Sequence, residues 1–284
     1  MKVLVLGSDG LLGSRLLAEL KLNRNLEAVG TSRHNSSDYF FEFTVRNLIN
    51  LVRTVKPDYI INCIAVTSSN SGWLKSIRVN SLLPITLALL SKFFSFQVIH
   101  FSTNAVFSGQ GKINSESSLI FPKSKYAFTK AMGDISFFGS LIIRTSFVGD
   151  HSSSTDSMDL VSRLKREKNG STYKIEEDYY WNGVTLDVIV VLIRNFMIEG
   201  RRLNGIFHLF SSEILLRHQL VEMILEKLNK SNVKVSCVGQ VFLKNFALST
   251  GRREDHLWLW NLAGYKKVPT LSSLILEMKI NPFV

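Results

Sequence analysis

Two cysteines in 284 residues, Cys63 and Cys237, are too few for a disulfide framework and point to a reducing compartment. The six histidines form no Cys/His spacing that predicts zinc, so no metal is expected. With only five prolines, 45% hydrophobic residues and 20% charged ones, the chain can bury a sizeable core, which excludes a disordered or low-complexity chain. Acidic residues are the minority, 23 against 34 Lys+Arg, for a net charge of +11. The basic residues are scattered, with no block interleaved with aromatics and no groove-reading motif, so no nucleic-acid partner is expected. The excess charge suits a phosphate-bearing small ligand. Long apolar runs are also missing. The start, MKVLVLGSDGLLG, has a four-residue apolar run before glycine and predicts no secretory signal. SLLPITLALLSKFFSF is interrupted by Pro84 and by Ser91 and Lys92, which predicts no membrane span. A cytoplasmic protein is the expectation.

What is there is an alternation. Apolar runs at 2–6, 26–32, 39–43, 58–65, 97–102 and 140–146 read as strands. Between them, 12–20, 47–56, 72–92 (kinked near Pro84) and 124–137 read as helices. Runs apolar throughout, separated by helices, predict a doubly wound α/β fold with a parallel sheet covered on both faces. Residues 1–146 are assigned to this dinucleotide-binding domain, with helix 184–198 and strand 205–210 returning to it. The rest of 147–284 is expected to form a smaller C-terminal lobe.

Gly7, Gly10 and Gly13 form GxxGxxG directly after the first strand and before an amphipathic helix. That context predicts a pyrophosphate on the helix N-terminus, with Asp9, Leu11 and Leu12 beside it. The second strand ends in GTSRH, where an NAD site carries an acidic residue; Ser32 and Arg33 stand there instead. A hydroxyl and a guanidinium suit a 2′-phosphate and point to NADP(H) rather than NAD(H).

INCIAV (61–66), FSTNAVFSG (101–109) and KYAFTK (125–130) end or follow strands at the edge where such sheets bind ligands. Asn62, Ile64 and Ala65 fall there, as do Ser102 and Thr103. Tyr126 and Lys130, four apart, share a helix face. By itself that spacing is common, but after a strand ending in Thr103 it gathers a hydroxyl, a phenol and an ammonium at one place.

These segments, with KPDYIINCIAV, RVNSLLPITLA, LIIRTSFVG and GIFHLFSSE, resemble an extended short-chain dehydrogenase/reductase of the dTDP-4-dehydrorhamnose reductase family, over nearly the whole chain. The resemblance implies that Tyr126 donates a proton to a sugar ketone. Lys130 would lower the tyrosine's pKa and hold the nicotinamide ribose, and Thr103 would polarise the carbonyl. It implies a nucleotide-sugar substrate and NADPH, in deoxysugar and surface-polysaccharide synthesis. The family's STDYVFDG reads STNAVFSG here, so Asn104, Ala105 and Ser108 reshape the pocket. The usual acidic residues after the third strand are altered too, leaving Glu42 as the adenine-side candidate. Val66, Thr67, Asn104, Arg144, Phe147, His151, Trp181 and Asn182 are the candidate sugar contacts; Asn80 is read as a helix brace. Two alternatives stay open on the same fold: an epimerase or dehydratase that recycles NAD, and a non-catalytic sugar-nucleotide-binding regulatory subunit. Outward-facing helices leave room for a homodimer.

Overall fold

The computed structural model describes residues 1–34, 37–136, 139–150, 159–239 and 243–280. The chain divides into two compact units. One is built from Met1–Ser108, Leu119–Arg144 and Val190–Phe207, the other from Gly109–Ser118, Thr145–Ile189 and His208–Val284.

The first unit opens with β1 (Lys2–Leu6), α1 (Leu11–Lys21), β2 (Glu27–Ser32), β3 (Tyr39–Phe40), α2 (Val45–Val55) and β4 (Tyr59–Asn62). It continues with α3 (Trp73–Ile77), α4 (Leu83–Phe94), β5 (Gln97–Thr103), α5 (Lys125–Gly133) and β6 (Ser140–Thr145). With strand Gly205–His208 these form a seven-stranded parallel sheet, ordered from that strand through β6, β5, β4, β1 and β2 to β3. Leu4 pairs with Val29 on one side and Ile60 on the other, and Ile61 pairs with Ile99. The strands are buried on both faces, as a doubly wound Rossmann-like sheet requires. Leu4, Leu6, Leu48, Ile60, Leu83, Leu87 and Val98 make the core on one face.

One local expectation is corrected and a second is explained. The strand expected over 39–43 stops at Phe40; Phe41 and Phe43 turn into the core, and Thr44 caps α2 by accepting from the Asn47 N–H. Near Pro84, where a kink is expected, helix 72–92 carries a π-helical turn. Residues Trp73–Phe94 are continuously helical through this turn, Arg78–Leu82. A proline ring clashes with the carbonyl four residues back. Here the Asn80 carbonyl points to Gly133 of α5, where a Cβ would sit only 2.2 Å away. Small residue, wide turn and proline are one solution. By length and apolarity alone the 22-residue run could cross a membrane. It is nevertheless a core helix: Leu83, Leu87 and Ala88 are buried, and Asn80 and Ser81 hydrogen-bond Thr129 of α5.

The second unit has small sheets. Thr172–Ile175 runs parallel to Lys234–Cys237, Tyr179–Trp181 lies between Leu215–Leu216 and Lys244–Asn245, and Phe147–Val148 pairs with Val184–Thr185. Helices Leu160–Arg166, Arg217–Lys227 and Leu271–Glu277 pack over them around Val161, Leu164, Val221, Ile224 and Ile275.

Candidate active site

The turn between β1 and α1 is shaped by what it lacks. Gly7 has φ +81°, a region that favours glycine, and its N–H bonds the Thr31 carbonyl at 3.0 Å. A Cβ on Gly13 would lie 2.1 Å from the Gly7 carbonyl oxygen, so only glycine lets α1 start this close to β1. No side chain caps α1, whose first N–H groups, those of Leu11, Leu12 and Gly13, are left for an anion. Beside them is a groove of about 990 Å³ lined by Gly7, Asp9, Gly10, Arg33, Glu42 and Ile64, among others.

Ala65, Val66 and Thr67 line the same groove. Asn80 holds this segment by accepting from the Val66 N–H at 2.8 Å and donating to the Val66 carbonyl at 3.0 Å. Lys125 donates to the carbonyls of Ser69 (2.7 Å) and Ser71, pinning the groove's outer wall to the start of α5. The sequence carried no signal for this clamp, because nothing marks Lys125 among 34 basic residues.

Of the expected dinucleotide contacts, Ser32 lines this groove, while Asn62 and Ser102 do not. Ser32 lines the groove beside Arg33, and its hydroxyl is bonded twice to His34, donating to the carbonyl and accepting from the N–H. Asn62 is buried, its amide spent on the Ile64 N–H and on His100. Ser102 is buried in β5, and its hydroxyl has no hydrogen-bonding partner among the described residues.

At the end of β5, Thr103 caps a short 3-10 turn by accepting from the Ala105 N–H at 3.1 Å. The same hydroxyl stands close enough to the Tyr126 phenol to favour its ionised form. Tyr126 stands in the first turn of α5, whose N-cap Ser124 accepts from the Ala127 N–H. Burial pushes the phenol up to about 12, opposed by the Thr103 hydroxyl and aided by the Asp134 carboxylate. Lys130 is not among the groups that shift the phenol, and burial is the largest cause, so the phenol is raised.

Lys130, one turn on, is buried and donates to the Phe101 carbonyl at 2.5 Å; its Nζ is 3.3 Å from His100 Nε2. Burial lowers its amine to about 8, while Asp134 and Cys63 pull it back up. Thr103, Tyr126 and Lys130 are thus together in the first unit.

The sugar-side candidates fare differently. Asn104 is buried, with Oδ1 3.5 Å from the Thr103 hydroxyl. Arg144 is a correction: its side chain is 1% exposed, its Nε donates to Asp134 Oδ2 at 2.8 Å, and its guanidinium lies 5.6 Å from the Phe107 ring centroid. It is an internal ion-pair partner. Trp181 is buried in the second unit's core and its indole N–H bonds the Ser146 hydroxyl. Asn182 is buried and spends its amide on Leu248 and Ser211. Among the described residues, the polar groups of both bond other residues of the second unit. Phe147 is half-buried in a two-residue strand, and His151 lies outside the described residues.

Among known proteins, the spore coat polysaccharide biosynthesis protein SpsK of Bacillus subtilis is 27% identical over 238 residues, covering 80% of this chain and 79% of that protein. The dTDP-4-dehydrorhamnose reductase of Salmonella typhimurium is 22% identical over 252 residues, 83% of this chain and 81% of the other. The solved dTDP-4-dehydrorhamnose reductase of Bacillus anthracis, in complex with NADP, shares the fold with a TM-score of 0.79 at 18% identity over 98% of each chain. Residues 1–249 match the RmlD substrate binding domain, and the chain belongs to that family.

Proposed function

We propose that this chain is an NADPH-dependent reductase of a nucleotide-activated 4-keto-6-deoxy sugar, working in the cytoplasm to supply a deoxysugar for surface polysaccharide. The observation that carries the reading is the Thr103 hydroxyl at the end of β5 beside the Tyr126 phenol, with Lys130 one turn on in α5. A dinucleotide fits the groove: the glycine turn leaves a cradle that a Cβ would fill, and the uncapped start of α1 offers N–H groups to a pyrophosphate. Arg33 is the donor for a 2′-phosphate, which favours NADP(H) over a recycled NAD.

When bound, the reduced nicotinamide supplies a hydride to the ketone carbon. Tyr126, kept protonated by burial, donates its proton to the ketone oxygen as negative charge develops there. The Thr103 hydroxyl orients the phenol and shares in stabilising that oxygen. Lys130 lies one helix turn from the phenol, near Cys63, which lines the groove.

The test is to mix purified protein with NADPH and a panel of 4-keto-6-deoxy sugar nucleotides and follow the loss of reduced-cofactor absorbance. Turnover with none of them would reject the reading. Bound NAD in the purified protein would favour an epimerase or dehydratase instead. Exposed Leu82, Leu89 and Phe93 along the π-turn and α4, with Phe128 and Met132 on the neighbouring α5, favour a homodimer through these helices. Light scattering of Phe93→Lys against the parent chain checks it; a parent monomer would dismiss it.

A further inference from the structure

Beside the groove three buried polar side chains stand in a row, Asn62, His100 and Lys130, at 1%, 1% and 2% exposure. Their proton arrangement follows from one fixed point. The backbone N–H of Ile64 donates to Asn62 Oδ1 at 3.1 Å, so the amide oxygen is on that side; turned over, the amide would set donor against donor. The amide nitrogen therefore faces His100 Nδ1, 3.1 Å away, and donates to it. An accepting Nδ1 bears no proton. The ring is then neutral with its proton on Nε2, since an imidazolium would place N–H on both nitrogens.

Nε2 lies 3.3 Å from Lys130 Nζ. An ammonium there would set N–H against N–H in a buried place, whereas a neutral amine offers its lone pair. The bond from Lys130 to the Phe101 carbonyl is open to either form and does not decide between them.

We propose that Asn62 and His100 set the protonation of Lys130: with the groove empty, the amine is held neutral and accepts from His100 Nε2–H. It then takes up one proton from solvent when an anionic dinucleotide enters the adjoining groove. The inference rests on the reductase reading of Lys130 and makes His100 a positioning residue. The titratable groups facing the amine are Asp134 from its own helix, Cys63 from beyond the end of β4, and His100 from β5. Burial disfavours its charge, and the two acidic groups favour it. The phosphates of a bound dinucleotide add negative charge on the groove side. Once charged, the amine faces an N–H at His100 and turns its own N–H groups toward the ligand. Charging and aiming are then one event.

Two measurements test this. Long-range proton–nitrogen NMR on protein labelled with 15N-histidine gives the tautomer of His100, whose signals are identified by their loss in His100→Gln. The neutral Nε2–H form is expected in the empty protein from pH 6 to 9, and an Nδ1–H form or an imidazolium overturns the proposal. Calorimetric titration with NADPH at pH 8.5, in two buffers of different ionisation enthalpy, counts protons. The parent chain is expected to take up more than about half a proton and His100→Gln less than about a quarter, because its amide oxygen favours the ammonium before binding. Equal uptake by the two proteins overturns it. A chain that binds no NADPH rejects the reductase reading, and the NMR result still decides this one.

Discussion

Replacing Arg144 with methionine separates two roles for one residue. In the structure Arg144 and Asp134 are 1% and 0% exposed, and a single 2.8 Å bond joins Nε to Oδ2. Methionine fills most of the arginine's volume and keeps contact with Phe107, so the main effect is a carboxylate stranded in the interior. Breaking a buried pair by removing one partner costs about 3–5 kcal/mol. The stranded group has an escape, which sets a ceiling: it can bind a proton. For a carboxyl of ordinary pKa near 4 that costs about 4 kcal/mol at pH 7 and only about 1.4 kcal/mol at pH 5, at 1.36 per pH unit.

The sign follows from linkage. In the variant the carboxyl's folded-state pKa is raised, so protonation restores stability as pH falls and the deficit grows as pH rises. Arg144→Met is therefore expected to lose about 3–4 kcal/mol at pH 7 and less than half of that at pH 5. Adding Asp134→Asn should recover most of the loss at pH 7. Urea unfolding of the three proteins at both pH values measures each quantity, provided the slopes agree. If Arg144→Met unfolds within about 1 kcal/mol of the parent at pH 7 while KM for the sugar nucleotide rises tenfold or more, Arg144 is a ligand contact and the structural reading is wrong.

Four further outcomes are expected. Tyr126→Phe should lower kcat by about 10²–10⁴-fold while NADPH binding, followed by fluorescence, stays within twofold. Arg33→Ala should weaken NADPH by about 10–100-fold and leave NADH nearly unchanged, as loss of a charge-assisted bond to phosphate requires. Gly13→Ala, whose Cβ would meet the Gly7 carbonyl at 2.1 Å, should lower the melting temperature and abolish NADPH-induced stabilisation. Lys130→Met should inactivate the enzyme yet stabilise it. Holding the amine down from its ordinary 10.5 to about 8 costs about 3 kcal/mol at pH 7 and nothing above 10.5. Losing the bond to the Phe101 carbonyl returns about 1 of that. The net gain at pH 7 should vanish in melts at pH 10.5.

The elements of the first unit were legible because its strands are apolar throughout and its helices periodic, and both signals are local. The glycine turn was legible for the same reason, since Gly7, Gly10 and Gly13 fall within seven residues at a strand–helix junction. Tyr126 and Lys130 were legible as a spacing, and Thr103 as a strand end. Partnerships across the sequence were not. Arg144 at the end of a strand reads as a group facing a ligand until Asp134, ten residues earlier, is seen beside it. Asn182 reads as a loop amide until Leu248 takes up its oxygen and nitrogen. β5 is buried along its whole length, so alternation says nothing of where His100 points. The π-turn was hidden because its cause, the meeting of Pro84, Asn80 and Gly133, joins two helices almost fifty residues apart.

One face of α5 ties the ion pair to the chemistry. Tyr126, Lys130 and Asp134 are spaced at four and eight residues, so they stand one above another along the helix. The Asp134 charge raises both the phenol and the amine above them, favouring a protonated donor and a charged lysine. A carboxylate doing this from a dry interior needs a counter-ion to remain ionised, and Arg144 is that counter-ion. The arginine thus acts on the site without reaching a ligand. In Arg144→Met at low pH, where the carboxyl is protonated and the fold is rescued, the charge is gone. The phenol and the amine should then both titrate lower than in the parent chain, even with the backbone intact. The structural pair and the proposed proton donor are consequently one electrostatic unit, and a variant that spares stability can still shift the pH profile of the reaction.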